Sequence, residues 1–119
     1  MTTDQHPGVV LVTGVCRYLG AQVAVRLAAD PRIRRVIGLD AHEPSPALVG
    51  PDVPDRFEFV AADIRTAEPA AVIASANVDT VVHLAVASGT PTQSGGRAAM
   101  KEQNVIGTMQ LLAACQQAP

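Results

Sequence analysis

The chain is poor in aromatic side chains, lysine and cysteine, and each scarcity narrows what it can be. Tryptophan is absent, and Tyr18, Phe57 and Phe59 are the only aromatics among 119 residues. A core must therefore come from Val, Leu, Ile and Ala, which suits helices laid closely on a parallel sheet. The 9 basic residues are eight arginines and Lys101; against 11 acidic ones they leave a net charge of −2. That balance offers no basic field for nucleic acid or for an anionic membrane surface. Cys16 and Cys115 form no C-x-x-C pair and no His/Cys cluster, which argues against a metal site and for a reduced, cytoplasmic setting. The start, Met1 to Pro7, is polar and unlike a secretory leader. No apolar run approaches the roughly 20 residues that cross a bilayer. The length fits one domain, able to bury roughly two thirds of its unfolded surface.

What is present is alternation. Residues 8–13 read as a buried strand, and a helix follows from about Tyr18 to Ala29, with Leu19, Val23 and Leu27 on one face and Asp30-Pro31 ending it. Val36 to Asp40 reads as a second strand. Pro44, Pro46, Pro51 and Pro54 make residues 41–56 a surface loop. Phe57–Ala61 is a third strand, Glu68–Ala76 a short helix, and Asn77-Val78-Asp79 a turn into a fourth strand, Thr80–Ala85. The Gly/Ser/Thr-rich stretch from Ser88 to Gly96 precedes a long helix, Arg97 to Gln117, with Val105, Met109 and Leu112 at helical spacing. Segments 41–56 and 87–96 should be the least ordered. There is no internal repeat.

Such alternation predicts an α/β, Rossmann-type parallel sheet with right-handed crossovers and helices on both faces, strand order 3-2-1-4. Ligands of such sheets bind at the carboxyl ends of the strands, where the order reverses. Gly14, Asp40, Asp63 and Ala85 all fall on that rim.

The run Thr13-Gly14-Val15-Cys16-Arg17-Tyr18-Leu19-Gly20 joins the first strand to the first helix. A strand, a glycine-bearing turn and a helix N-terminus form an anion site from backbone N–H groups and the helix dipole. Asp40, about 20 residues on, stands where dinucleotide-binding βαβ units hydrogen-bond the adenosine ribose. Arg17 occupies the position of the middle glycine of a G-x-x-G-x-x-G turn, where its guanidinium is chemically suited to phosphate. Each residue also has a plainer reading. Gly14 and Gly20 serve as turn and packing glycines in many α/β domains, and Asp40 alone could cap a strand. Asp63 could simply pair with Arg65. His83, inside an apolar strand, reads as a hydrogen-bonded core histidine, and Cys16 as an inert small residue.

Thr13-Gly14 with Gly20, Asp40, Ala62-Asp63-Ile64, Val82-His83-Leu84-Ala85 and Asn104-Val105-x-Gly107-Thr108 together resemble the N-terminal part of an extended short-chain dehydrogenase/reductase. That group comprises NAD-dependent sugar-nucleotide epimerases and dehydratases. The resemblance runs from about Val9 to the end and implies NAD as cofactor. It implies that the backbone N–H groups of Tyr18 and Leu19 face the pyrophosphate and Asp40 the ribose. Asp63 and Ile64 would lie along the adenine, Leu84, Ala85 and Val86 along the middle of the cofactor, and Asn104 near its nicotinamide half.

In that group a further strand, a Tyr-x-x-x-Lys helix and a substrate domain follow; here the only tyrosine, Tyr18, lies in the turn and lacks the lysine. The expectation is a cofactor cradle without catalytic residues: the N-terminal part of an oxidoreductase that transfers hydride on a small hydroxyl substrate such as a sugar nucleotide. Residues 1–119 alone would be inactive, and the exposed edge of the fourth strand makes a homo-oligomer expected. The alternatives are a non-catalytic dinucleotide sensor or regulatory module, to which Arg17 is equally suited, and a structural half that only dimerises.

Overall fold

The computed structural model describes residues 8–44, 50, 54–85 and 96–117. Strands β1 (Val9–Thr13), β2 (Arg35–Asp40), β3 (Phe57–Ala61) and β4 (Thr80–His83) form one parallel sheet in the order β3-β2-β1-β4. This is the order expected from the alternation of elements. Val10 lies opposite Val36 on one side and Thr80 on the other, so the ends of β1, β2 and β4 are brought into register.

The central position of β1 explains its composition. Every residue of Val9–Thr13 is buried, as a strand covered on both faces requires. Its side chains alternate between two cores. Val9 and Leu11 pack with Ile37, Leu39, Ile73 and Leu111, whereas Val10 and Val12 pack with Val36, Ala24 and Ala28.

Helix α1 (Tyr18–Ala28) lies over the second core through small residues, Ala21, Ala24 and Ala28, which allow close approach to the sheet. Helix α2 (Glu68–Ala76) has Pro69 in its first turn, where a missing N–H costs nothing, and ends at Asn77 with φ 55. Asparagine tolerates that left-handed conformation better than other side chains.

The C-terminal helix differs from the regular one expected over 97–117. It comprises α3 (Gly96–Lys101), a π-helical segment (Glu102–Ile106) and α4 (Gly107–Gln117). The wider turn sits where the helix meets the segment after β3. There Glu102 accepts from Arg65, and Gly107 lies so close to Ile64 that a Cβ would come within 2.7 Å of its Cδ1. Strand β4 also ends two residues earlier than expected, because the Leu84 and Ala85 N–H groups turn onto the Thr13 hydroxyl. Of the two loops expected to be least ordered, half of 41–56 and nearly all of 87–96 lie outside the described residues, as does Val86. Among the described residues no helix is long and apolar enough to cross a membrane.

Candidate functional site

The carboxyl ends of β1, β2, β3 and β4 deliver the anticipated residues to one rim. Gly14 follows β1 with φ +83, and a Cβ there would lie 2.6 Å from the Leu84 carbonyl. A Cβ on Gly20 would lie 2.1 Å from the Gly14 carbonyl oxygen, closer than any real contact. Only two glycines let the first turn of α1 nest against the turn that leaves β1, with the end of β4 on its other side.

The N-terminus of α1 is open in electrostatic terms. Among the described residues no side chain caps it and no acidic residue lies in its first turn; Arg17 holds the N-cap position in an extended conformation. The first amides of a helix have no intrahelical acceptor, so the positive end of the dipole is directed at the rim. Tyr18 and Leu19 are among the most exposed large apolar side chains, at 69% and 62%. Exposed apolar groups beside open amides suit a surface that takes a ligand.

Asp40, the last residue of β2, faces this turn. Its Oδ2 accepts the Cys16 N–H at 3.1 Å and its Oδ1 accepts the Ala41 N–H at 2.7 Å. A carboxylate has about four acceptor positions; with the Cys16 thiol also hydrogen-bonded to it, about one is left for a further donor. The Cys16 thiol is pushed up to about 11, by burial first and then by its hydrogen bond to Asp40 and that residue's charge. It is the neutral group expected of an inert cysteine in the turn.

Asp63 lies two residues past β3. Its carboxylate accepts the Arg65 N–H at 2.9 Å and the Arg65 guanidinium at 2.6 to 3.1 Å. The hydrogen bonds from the Arg65 side chain, with its backbone N–H and charge, hold the Asp63 carboxyl below its ordinary range, against the opposing effect of burial. Arg65 also donates to Glu102 at 2.8 Å and so ties the β3 end to the π-helical segment. The pairing with Arg65 is therefore real, and it coexists with a place on the rim: Asp40, Ala41, Ala62, Asp63, Ile64 and Ala85 line one small concavity.

Four anticipated residues thus converge, with Gly14 and Leu84 in contact beside them. Asn104 lies half-buried in the π-helical segment, two residues from the Glu102–Arg65 contact. A larger cavity of about 520 Å³ opens elsewhere, between α2 and α4 beside β4, lined chiefly by Ile73, Val81, Leu111, Leu112 and Cys115. It is an apolar groove holding none of the anticipated residues, so size does not select the site here; the converging polar groups do.

Sequence reasoning passed over Thr13, Arg65 and Thr108 as functional. Thr13 was visible as a lone hydroxyl closing an otherwise apolar strand. It is fully buried. Nothing in the sequence marks the pairing of Arg65 with Glu102, 37 residues away.

Comparison with known proteins places this geometry. Residues 10–119 match the NAD dependent epimerase/dehydratase family. The chain belongs to that family. Over 115 residues it is 56% identical to an uncharacterized protein of Mycobacterium tuberculosis, covering 97% of this chain and 30% of that protein. It is 32% identical over 103 residues to a UDP-glucose 4-epimerase of Mycolicibacterium smegmatis, covering 85% of this chain and 32% of the other. Among solved structures, a UDP-glucose 4-epimerase from Stenotrophomonas maltophila with bound NAD superposes with a TM-score of 0.78 at 25% identity, over 95% of this chain and 34% of that one. A dTDP-glucose 4,6-dehydratase from Streptomyces venezuelae with NAD and TYD bound gives 0.75 at 31% identity, over 92% and 36%. The chain therefore spans about a third of the length of the relatives it matches.

Proposed function

We propose that this chain is the NAD-binding part of an oxidoreductase of the epimerase/dehydratase type. The observation that carries the reading is the meeting of Asp40, Asp63, Ile64 and Ala85 around one concavity beside the Gly14–Gly20 turn. The N–H groups of Tyr18 and Leu19 would hold the pyrophosphate with help from the helix dipole. Arg17 would add a charge-assisted donor in place of close backbone approach. The remaining acceptor capacity of Asp40 would take the adenosine ribose. Asp63 and Ile64 would border the adenine, Leu84, Ala85 and Val86 the middle of the cofactor, and Asn104 the nicotinamide side.

NAD supplies a hydride acceptor to such a site. On this reading the residues of this chain bind and orient it, and none of the described residues serves as the acid or base for a substrate hydroxyl. Residues 1–119 are on this reading a cradle, and the hydroxyl substrate, a sugar nucleotide or similar molecule, belongs to the whole protein. NAD-bound relatives named for UDP- and dTDP-sugars support that class. Among the described residues β4 is an edge strand, a position that suits pairing with a second copy.

Arg17 favours one further reading, a dinucleotide sensor without turnover, since a guanidinium in the phosphate turn serves binding and adds nothing to hydride transfer. Calorimetric titration of the chain with NAD tests the shared premise: saturable binding that Asp40→Ala weakens supports it, and no binding to the folded wild type overturns it. Epimerase and dehydrogenase assays on the longest product of the gene then separate enzyme from sensor.

A further inference from the structure

Thr13, His83 and Thr108 form a chain of side-chain hydrogen bonds behind the rim. The Thr13 hydroxyl lies 2.7 Å from His83 Nδ1, and His83 Nε2 lies 2.8 Å from the Thr108 hydroxyl. The same Thr13 oxygen accepts the N–H groups of Leu84 at 2.9 Å and Ala85 at 3.1 Å. The Leu84 N–H is shared with the Thr13 carbonyl at 3.3 Å. A hydroxyl oxygen has two acceptor positions and one proton. Two backbone donors fill the acceptor positions, so the Thr13 proton goes to His83 Nδ1. That nitrogen must be the unprotonated one, and Nε2 then carries the hydrogen and donates it to Thr108.

We infer that His83 is a positioning residue, a neutral imidazole held in the Nε2–H tautomer, that aims the Thr13 hydroxyl so that its oxygen fixes the Leu84-Ala85 turn on the rim. Its other end is anchored through Thr108 to α4. The inference rests on the dinucleotide reading only for what the rim serves; the hydrogen-bond count stands without it.

The surroundings agree with a neutral ring. Burial lowers the His83 pKa. A second proton on Nδ1 would face an oxygen with no acceptor position left. Among the described residues, the groove on its outer side presents Asp79 and Cys115 as its other titratable groups. Asp79 is already engaged by the Gly8 and Val9 N–H groups and the Thr80 hydroxyl. From α4 the ring meets the neutral Thr108, and from β1 the neutral Thr13.

Long-range proton–nitrogen correlation spectra of the nitrogen-15-labelled chain near pH 7 test this, with His83→Gln separating the His83 signals from those of His6 and His42. A pyridine-like Nδ1 and a pyrrole-like Nε2 are expected. Thr108→Val leaves Thr13 as donor and should keep that tautomer. Thr13→Val should release it to a mixture, and Thr13→Ser should restore it. Where Thr13→Val does not fold, the wild type, Thr108→Val and Thr13→Ser still decide. In His83→Phe, amide exchange at Leu84 and Ala85 should quicken by about fivefold to tenfold, the loss of about one hydrogen bond's support. An Nδ1–H tautomer, averaged ring signals in the wild type, loss of the tautomer in Thr108→Val, or unchanged exchange in His83→Phe would each overturn the assignment. None of these measurements involves NAD, so their failure is distinct from failure of the dinucleotide reading.

Discussion

Asp40 and Cys16 stand 24 residues apart, and the carboxylate of one accepts the backbone N–H of the other at 3.1 Å. The contact ties the end of β2 to the glycine turn and, with the Ala41 N–H and the Cys16 thiol also engaged, leaves about one acceptor position of the carboxylate for a ligand. Selectivity between cofactors follows. A ribose diol donates to a carboxylate, whereas a 2′-phosphate is repelled by it at short range in a partly buried site. Arg17, by offering a phosphate partner, is expected to blunt the difference without reversing it. NAD is expected to bind at least about tenfold tighter than NADP, about 1.4 kcal/mol, with the gap narrowing in Asp40→Ala. Calorimetric titration of both cofactors onto both proteins checks this; equal affinities in the wild type would show the ribose assignment wrong.

Gly20 and Gly50 make opposite demands and give a matched pair. The backbone of Gly14 leaves no room for a Cβ on Gly20, whereas at Gly50, with φ +82, nothing among the described residues lies within 4 Å of where one would go. Gly20→Ala must shift backbone in the turn and is expected to cost about 3 kcal/mol or more. Gly50→Ala meets only its own left-handed conformation, about 1 kcal/mol. Urea unfolding of the two variants measures the difference. Similar midpoints would mean that α1 does not nest on the turn as described.

Asp79 is expected to make stability depend on pH at the acid end. Burial alone would raise its carboxyl, but the Val9 N–H, the Thr80 hydroxyl and the Gly8 N–H outweigh that effect, with Arg34 adding to them, and the folded value is lowered. A group depressed in the folded state stabilises it above the unfolded value, about 3.9. That contribution is lost as pH falls through the folded value. Asp79→Asn should therefore be less stable than the wild type near neutrality, by about 1 kcal/mol or less, because Asp79 is exposed and solvent screens its interactions. The difference should shrink as pH falls through the folded value, where the Asp79 carboxyl becomes neutral like the amide. A gap that persists undiminished in acid would assign the effect to shape rather than charge.

Arg65 permits a separation of roles. It is partly exposed, and surface pairs of this kind contribute about 0 to 1 kcal/mol, so Arg65→Ala should unfold at nearly the wild-type denaturant concentration. The Asp63 carboxyl, however, loses the partner that depresses it and should titrate higher, toward the ordinary carboxylate range. Carbon-13 detection of the Asp63 side chain through an acid titration reads the change. No upward movement would mean that the ion pair does not persist in solution.

Legibility in the sequence followed the range over which each signal acts. Gly14, Asp40 and Asp63 could be placed because a strand end is marked locally, by an apolar run that stops, and because a parallel sheet brings such ends together. The strand order followed from the alternation of elements for the same reason. Thr13 was harder: a threonine at the end of a strand looks like ordinary β preference until the amides of Leu84 and Ala85 are seen to converge on it. The π-helical segment at Glu102–Ile106 has no periodicity of its own to betray it. Its position is explained by contacts with Ile64 and Arg65, residues distant in sequence.

Cys16 offers a test of the environment of the turn that needs no ligand. With its pKa pushed up to about 11 by burial and by Asp40, only about one thiol in a thousand is ionised near pH 8. The thiolate is the reactive form. Alkylation by iodoacetamide at Cys16 should therefore be slower than for an unperturbed thiol, of pKa about 8.5, by roughly two orders of magnitude. Asp40→Asn removes the carboxylate's charge and keeps an acceptor for the Cys16 N–H, so it should accelerate the reaction while leaving the fold in place. Burial is the larger cause and is untouched by that change, so the acceleration should fall short of the unperturbed rate. Mass spectrometry of the Cys16 peptide over a pH series gives both rates. A wild-type thiol that reacts like a free one would mean that the carboxylate is not seated against this turn, and the ribose role assigned to Asp40 would lose its geometric support with it.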